Sequence, residues 1–326
     1  MYFIRLGVYP PYPWGATGTN DYTAAVFIRE KGMVLVMRLS KLFEEKKVVF
    51  SFEIFPPKKT SSVETIYATL DALKGLRPDY ISVTYGAGGA GSGKTCELAT
   101  VIKNNYHIEP LAHLTCINAT KEQILTELHA FAQNGIENVL ALRGDRNPEI
   151  PPCDDFHYAS ELVGFIAENG GFNIVGACYP EGHPESDTLN ADIANLKEKV
   201  DRGVSHLNSQ LFFDNEDFYR FLELTQKAGI SVPIQAGIMP VTNSRQIERM
   251  VSLTGAKLPS KFSKIMARYG DDPEALRDAG IAYATEQIID LITSGVRGIH
   301  LYTMNLPYVA ERISSNIASV LQISNR

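Results

Sequence analysis

From residue 48 onward, short runs of β-branched and aromatic residues alternate with longer segments that carry apolar residues at three- and four-residue spacings. This alternation is typical of βα units, in which a helix connects successive parallel strands. The strand-like runs number eight and span residues 48–55, 80–86, 109–117, 138–144, 173–180, 206–214, 232–240 and 298–305. Eight parallel strands with intervening helices close into a barrel, so the sequence predicts an α/β fold, a single (β/α)8 TIM barrel.

The helix-like segments carry start and stop signals. Residues 121–135 end at a glycine, a common C-terminal cap, and Thr120 with Gln123 fits a capping box at the start. Only residues 243–295 are numerous enough to hold more than one helix between two strands. No Ser/Gly-rich linker divides the chain, so residues 37–326 are predicted to form one barrel domain.

Residues 1–36 do not fit the βα pattern. Three prolines and a glycine between positions 10 and 15 interrupt any signal-like apolar stretch, and no Arg-rich amphipathic pattern of a transit peptide is present. A charged helical stretch begins at Met37 and leads into the first strand. We therefore expect residues 1–36 to be a disordered extension or a non-native segment, with Met33 or Met37 as the biological start.

Charge and cysteine content narrow the class of partner. The formal charge is −6 with both signs interspersed, which indicates no nucleic-acid partner. The apolar run at residues 33–37 is far shorter than the ~20 residues of a membrane span, so we expect no membrane partner. The four cysteines lie 20 or more residues apart, which favours reduced cytosolic thiols and no metal site.

A glycine-rich segment after the second strand-like run matches two nucleotide-binding patterns. Gly88–Thr95 reads GGAGSGKT and fits the P-loop, while Gly86, Gly88 and Gly91 fit GxGxxG. No strand-terminal aspartate stands out as the magnesium ligand of a triphosphatase. Glu109 has the spacing of a ribose-binding acid but begins a strand instead of ending one. We favour a loop that admits a ligand close to the backbone and keep a P-loop protein as the alternative.

Polar residues at the predicted carboxyl ends of the strands are candidates for a functional site, because the βα loops of a barrel gather there. No group among them has the spacing of metal ligands. They are Glu53, Thr84, Tyr85, His113, Thr115, Arg143, Asp145, Tyr179, His183, Gln210 and Asn305.

Seven dispersed segments together resemble the methylenetetrahydrofolate reductase family, in its order and spacing over residues 48–323. They read SFEIFPP (51–57), SVTYGAGG (82–89), HLTCI (113–117), ALRGD (141–145), YPEGHPE (179–185), QLFFD (210–214) and LYTMN (301–305). The resemblance implies FAD across the barrel mouth, reduced by NADH or NADPH, which then leaves so that methylenetetrahydrofolate takes its place. This ping-pong reaction gives methyltetrahydrofolate for methionine synthesis. It also implies a bacterial-type, cytoplasmic homo-oligomer.

The resemblance assigns Glu53 as the catalytic acid that protonates the bridging folate nitrogen. Flanking Phe52, Ile54, Phe55 and the Pro56–Pro57 pair predict an apolar setting that raises the pKa of this carboxyl and keeps it protonated near neutral pH. The residues alone leave open an exposed glutamate or a structural ion pair. Asp145 resembles the aspartate between flavin and pterin, and a helix N-cap is its alternative role.

Further positions follow from the same resemblance. Arg143 and Gly144 would meet the flavin pyrophosphate or ring edge, where a guanidinium fork suits phosphate oxygens. Gln210 and Gln246 match glutamines that hold the pterin, since an amide both donates and accepts. The other positions implied to line FAD are Thr84, Tyr85, Ala87, His113, Tyr158, Tyr179, His183, Asp192, Asn195 and Lys199. Taken singly, a His or Tyr at a strand end is more often a packing residue.

One departure from the family pattern stands out. After LYTMN the family usually carries an arginine that reaches the glutamate tail of folate, whereas this chain has Leu306. Tail recognition must then use another basic residue or be weaker. The chain ends near residue 326, so we expect no regulatory domain that senses S-adenosylmethionine. Three functions are weighed: the flavin reductase, a P-loop nucleotide hydrolase, and a non-catalytic folate-binding barrel.

Overall fold

The computed structural model describes residues 28–29, 32–33, 38–57, 63–85, 93–145 and 153–326. The chain divides into two compact units, Met1–Val36 and Met37–Arg326. In the first unit, the strands Ile28–Arg29 and Gly32–Met33 pair antiparallel. The expected disorder of residues 1–36 concerns positions that lie mostly outside the described residues, and it stays a prediction.

The second unit contains a closed barrel of eight parallel strands. They are β1 Val49–Ile54, β2 Tyr80–Val83, β3 Glu109–Thr115, β4 Asn138–Leu142, β5 Asn173–Cys178, β6 Val204–Ser209, β7 Ile234–Ile238 and β8 Gly298–Tyr302. Each strand pairs with the next in sequence, and β8 pairs with β1 to close the barrel. The predicted single (β/α)8 barrel is confirmed.

The sixth predicted run, 206–214, is wrong at both ends. The strand begins at Val204, and a register shift opposite β5 accommodates the extra residue. The strand ends at Ser209, and the Gln210 N–H still donates to the carbonyl of Cys178 in β5, at 2.7 Å. Asp214 then caps the following helix by accepting from the N–H of Glu216. The phenylalanine-rich stretch between them therefore has local β propensity but no strand partner among the described residues.

Helices cover the barrel and close its amino end. They are α1 Leu39–Glu45, α2 Val63–Lys74, α3 Gly93–Val101 with a π-helical turn Ile102–Tyr106, α4 Lys121–Gln133, α5 Ala159–Asn169, α6 Leu189–Asp201, α7 Asn215–Lys227, α8 Ser244–Thr254, α9 Ser260–Tyr269, α10 Pro273–Thr293 and α11 Pro307–Ser324. Both bonds of the predicted Thr120–Gln123 capping box are present. Within the described ranges, no helix combines the length and apolar character needed to cross a membrane.

Strand residues that point outward form the main core between the barrel and its helices. Phe52 and Ile54 of β1 are fully buried there, in one cluster with Leu70 of α2 and Ile313 of α11. Burying each such side chain contributes about 1.5–3 kcal/mol. Because side chains alternate along a strand, Phe52 and Ile54 face away from Glu53. The predicted apolar setting is therefore wrong for Phe52 and Ile54, whereas Phe55 lines the same cavity as Glu53.

Inward-pointing residues divide the barrel interior into two levels. Near the amino ends of the strands they are mainly apolar and pack against α1, in a cluster of Leu39, Leu42, Phe43, Val49, Tyr80, Leu111, Leu140 and Val175. Asn138 accepts a hydrogen bond from the N–H of Leu39, at 2.9 Å, and so holds α1 in place. Above this floor the interior is polar, with buried Ser51, Ser82, His113, Asn208, Gln235 and His300. Buried polar side chains in a barrel interior indicate a functional site, because an interior that only packs would be apolar.

Candidate functional site

A cavity of about 2350 Å³ lies over the carboxyl ends of the strands. Its walls bring together almost all residues that the sequence nominated. Those that line it are Glu53, Thr84, Tyr85, His113, Thr115, Arg143, Gly144, Asp145, Tyr158, Tyr179, His183, Asp192, Asn195, Lys199 and Gln210. Ala87 lies outside the described residues. Gln246 is described on α8 but is not among the lining residues, whereas Met250, one turn later, is.

Glu53 lies at the base of this cavity with only 7% of its surface exposed. Two imidazoles approach the same carboxylate oxygen: His113 Nε2 and His300 Nε2 each lie 3.5 Å from Glu53 Oε2. His113 also contacts Ser82 Oγ through Nε2, at 2.6 Å. The carboxyl therefore has polar neighbours, and neither the exposed glutamate nor an arginine or lysine ion pair describes it.

The backbone around Glu53 is held by the end of β8. Thr303 Oγ1 donates to the Glu53 carbonyl at 2.7 Å. Asn305 clamps Phe55 in both directions, since its Oδ1 accepts from the Phe55 N–H and its Nδ2 donates to the Phe55 carbonyl, each at 2.9 Å. Asn305 adopts a left-handed conformation, with φ 56°, that asparagine tolerates better than most residues. The predicted strand-end Asn305 thus fixes the segment that carries Glu53.

Two interior histidines are neutral in the folded protein. Burial lowers the pKa of His113 to about 4, although the neighbouring Glu53 acts in the opposite direction. Burial likewise lowers the pKa of His206 to about 3. His206 packs against Phe43 of α1, with ring centroids 4.8 Å apart, so it belongs to the floor and not to the cavity. At neutral pH, His113 therefore brings no positive charge to Glu53.

These histidines predict a loss of stability in acid. Unfolded imidazoles titrate near ~6.5, so between that pH and the folded pKa the unfolded chain binds more protons. The free energy of unfolding that these neutral histidines contribute is fully present above the unfolded pKa. It is lost as pH falls from there towards the folded pKa, which is about 4 for His113 and about 3 for His206. Replacing His206 by Phe should remove about 2–3 kcal/mol of the loss between about pH 7 and 4.5.

Urea denaturation at the two pH values measures this difference. His129→Phe is the matched control, because His129 is exposed on α4 and its replacement should leave the whole acid loss in place. Equal acid losses in both variants would contradict the assignment of His206 as a neutral buried group.

Cationic side chains in the cavity differ in how well their charge is balanced. Arg143 makes a bidentate pair with Glu185, at 2.5 and 2.7 Å, and that pairing raises its pKa. Lys199 donates to the carbonyl of Ala177, and burial lowers its pKa. Cys178 and, to a smaller extent, Asp192 act against burial and raise the pKa of Lys199. Lys199 is thus the cation with more to gain from an anionic ligand.

A tight turn beside β5 presents His183 to the cavity. Asp192 Oδ2 accepts from the His183 N–H at 3.2 Å, and Asp192 Oδ1 accepts from Ser186 Oγ at 3.0 Å. The rings of Tyr179 and His183 meet edge to face, with centroids 4.7 Å apart. The predicted residue Asp192 therefore orders this turn, while Tyr179 and His183 form one rigid aromatic wall.

Comparison with known proteins identifies the family. Residues 38–318 match the family described as methylenetetrahydrofolate reductase. The chain belongs to this family. It is 37% identical over 255 residues to the 5,10-methylenetetrahydrofolate reductase of Escherichia coli, covering 78% of this chain and 86% of that one. The corresponding enzyme of Pectobacterium carotovorum is 36% identical over 259 residues, covering 79% and 86%.

A plant relative extends the match over more of this chain. Methylenetetrahydrofolate reductase (NADH) 1 of Arabidopsis thaliana is 35% identical over 303 residues, which is 88% of this chain and 51% of the plant protein. Among solved structures, an uncharacterized protein from Clostridium thermocellum that binds two copies of 5-methyl-5,6,7,8-tetrahydrofolic acid superposes with a TM-score of 0.62 at 13% identity, covering 87% of this chain and 99% of that one. That low identity supports the barrel fold alone.

As a methylenetetrahydrofolate reductase family member, the chain is an oxidoreductase, and the P-loop reading of Gly88–Thr95 is disfavoured. Residues 88–92 lie outside the described residues. Thr95 is buried and its Oγ1 donates to the carbonyl of Thr84 at 3.1 Å. Lys94 Nζ lies 3.4 Å from the carbonyl of Pro57. Both side chains therefore bind backbone of the barrel, where a P-loop would direct them to phosphate and magnesium.

Leu306, where the resemblance implies an arginine, lies at the start of α11. Leu306 is 40% exposed and immediately precedes Pro307. Two arginines lie nearby around Tyr308: the guanidinium carbons of Arg277 and Arg312 are 4.7 and 5.8 Å from its ring centroid. Neither arginine lines the described cavity, so the structure does not restore the missing cation at that position.

Sequence reasoning missed the interior residues that surround Glu53. His300 and Tyr302 pair in register with Ser51 and Glu53 across the β8–β1 seam, and all four point inward. The Tyr302 hydroxyl donates to the Ser209 carbonyl at 2.7 Å, and burial raises its pKa well above the usual value. These residues could have been found from the alternation of side chains along a strand, because every second residue points to the same side. LYTMN was recognised as a motif, but the histidine immediately before it has the same inward phase as Tyr302.

Proposed function

We propose that this chain reduces 5,10-methylenetetrahydrofolate to 5-methyltetrahydrofolate, with FAD as bound cofactor and NADH or NADPH as reductant in a ping-pong sequence. The observation that carries the proposal is Glu53, a buried carboxyl at the base of a cavity of about 2350 Å³ over the barrel mouth. Such an acid, held where a ring system would lie, suits protonation of a bridging nitrogen. The bacterial relatives are named 5,10-methylenetetrahydrofolate reductase, which supports the same chemistry. The proposal includes a cytoplasmic homo-oligomer that supplies methionine synthesis.

The cavity has the size and the donors that a dinucleotide needs. Ordinary ligand sites measure roughly 300–1,000 Å³, so this one accommodates a large cofactor and a second ring system together. Lys199 offers a partly compensated ammonium to a diphosphate. Tyr158 is 63% exposed at the rim and presents an aromatic face to a purine.

Gly144 shapes the turn that precedes Asp145. It has φ +88°, and a Cβ there would meet Thr115 Cβ at 3.1 Å, so a side chain would be strained and crowded. Asp145 follows directly, and both residues line the cavity. Their position supports the proposal that this turn contacts FAD.

When bound, FAD would accept hydride from the nicotinamide and deliver it to the one-carbon unit of the folate. The chain's own residues then have separate tasks. Glu53 protonates the bridging nitrogen, which opens the five-membered ring and creates an electrophilic iminium. Gln210 and Asp145 line the same cavity and bind the pterin by its donor and acceptor edge. His113, neutral because burial lowers its pKa, brings no positive charge to the carboxyl.

Spectroscopy of the purified protein tests the proposal directly. We expect a yellow protein whose flavin band is bleached anaerobically by NADH or NADPH and restored by methylenetetrahydrofolate. Tetrahydrofolate, which lacks the one-carbon unit, is the matched control and should leave the flavin bleached. A colourless protein, or recovery of the band with both folates, would contradict the proposed reaction.

A further inference from the structure

A chain of buried hydrogen bonds leads from the barrel interior to His300. Gln235 Nε2 lies 2.8 Å from the carbonyl of Ile299 and 2.7 Å from Ser51 Oγ. Because a carbonyl only accepts, the amide nitrogen must be on this side, and the amide oxygen accepts from the Tyr80 hydroxyl at 2.7 Å. The orientation of the Gln235 amide is therefore fixed: its nitrogen faces the Ile299 carbonyl, which can only accept, and its oxygen faces the Tyr80 hydroxyl, which can donate.

The fixed amide limits the proton positions beyond it. Ser51 Oγ accepts from Gln235, and its own proton has two acceptors, the Tyr80 hydroxyl and His300 Nδ1, the latter 2.7 Å away. We take the arrangement in which Ser51 donates to His300. An Nδ1 that accepts a hydrogen bond carries no proton in the neutral ring, and the proton is then on Nε2. Tyr80 stacks on the His300 ring, with centroids 5.9 Å apart and planes inclined by 20°, and so fixes the ring plane.

Glu53 is the carboxylate within reach of the Nε2–H of His300. Nε2 is buried without a hydrogen bond inside the described residues, and Glu53 Oε2 is 3.5 Å away. His113 differs, because its Nε2 contacts Ser82 Oγ at 2.6 Å and reaches Glu53 Oε2 only at 3.5 Å. A small closure of the Glu53 side chain gives His300 a full hydrogen bond and leaves the Ser82–His113 contact unchanged. His300 is thus the better candidate donor.

We propose that His300 is a positioning residue for Glu53: its Nε2–H, set by the Gln235–Ser51–His300 chain, binds Oε2 and leaves Oε1 as the oxygen that carries the acid proton into the cavity. This inference rests on the proposed function, since it specifies how the acid of that reaction is oriented. No chemical step passes through His300. Its effect is to keep the carboxyl in the rotamer and protonation geometry that the folate nitrogen needs.

Two substitutions at the same position separate positioning from structure. In His300→Asn the short amide retains a polar group near Nδ1 for Ser51 and loses the donor to Glu53. In His300→Gln the longer amide places a donor near the position of Nε2. Stopped-flow measurements follow flavin reduction by reduced nicotinamide and flavin reoxidation by methylenetetrahydrofolate separately.

We expect His300→Asn to slow reoxidation by about 10²-fold and His300→Gln by no more than about 10-fold, with flavin reduction near wild type in both. A second readout does not depend on activity: ¹⁵N-imidazole NMR of histidine-labelled protein should show His300, identified by the signal lost in the variants, as the Nε2–H tautomer.

The outcomes are distinguishable. If wild type does not reoxidise with methylenetetrahydrofolate, the proposed function fails, and NMR alone judges the tautomer. If wild type turns over and both variants reoxidise equally, or if NMR shows the Nδ1–H tautomer, the positioning role is overturned. Loss of both half-reactions in both variants, with altered folding by circular dichroism, would assign His300 a purely structural role and would also overturn the proposal.

Discussion

Replacing Glu53 by Gln is expected to leave reduction of the flavin by NADH or NADPH near the wild-type rate and to slow its reoxidation by methylenetetrahydrofolate by about 10²–10⁴-fold. The amide has nearly the shape of the carboxyl, so it fills the same space between His113 and His300. It has no acid proton to transfer to the folate nitrogen. The half-reaction that needs this proton is therefore the one that fails.

Anaerobic stopped-flow absorbance at the flavin band measures both half-reactions in one preparation. Glu122→Gln is the matched control, because Glu122 also lines the cavity but is exposed on the first turn of α4. We expect both of its half-reactions to stay near wild type. Equal slowing of reduction and reoxidation in Glu53→Gln would show that Glu53 shapes the cofactor site and would remove it as the acid.

The barrel and its cavity were largely predictable because their signals are local. A parallel barrel strand is recognised from a short apolar run and a helix from its spacing, so eight strands were found with boundary errors of a few residues. The capping box at Thr120 and Gln123 needs only four consecutive residues and was correct. The side chains at the carboxyl ends of the strands then meet by topology alone.

The surroundings of Glu53 were not predictable in the same way. Sequence neighbours Phe52 and Ile54 were assigned to its setting, but strand alternation turns them into the outer core. The true neighbours, His113 and His300, come from strands far along the chain. Which of their atoms meet depends on the register across the closed barrel, and that register is a property of the whole fold.

Partners in the loops show the same limit. Arg143 was predicted to meet the flavin pyrophosphate or ring edge; it lines the cavity, and its pairing with Glu185, 42 residues away, was not foreseen. The predicted pterin contact of Gln246 stays a prediction, while Met250 is a cavity-lining residue among the described side chains of α8. Residue type gives the chemistry of such a side chain but not its competing partner. Where α8 lies is set by packing against its neighbours, and one glycine is central to that packing.

Gly280→Ala is expected to lower the free energy of unfolding by about 3 kcal/mol or more. Gly280 is buried in α10, and a Cβ there would lie 1.7 Å from the carbonyl oxygen of Val241. The obstacle is backbone, so it cannot be relieved by rotating a side chain. The segment after β7 must move outward instead, together with Asn243, which caps α8.

Gly164→Ala provides the matched control, since Gly164 also lies within a helix but a Cβ there would meet only the Arg202 side chain, at 3.6 Å. Removing a helical glycine without a clash stabilises by up to about 1 kcal/mol, so the two variants should shift stability in opposite directions in urea denaturation. Because α8 carries Met250 into the cavity wall, the Gly280 variant should also weaken ligand binding in the cavity. A Gly280→Ala protein as stable as Gly164→Ala would mean that α10 and the β7 loop are free to separate, and that their close approach does not fix the position of α8.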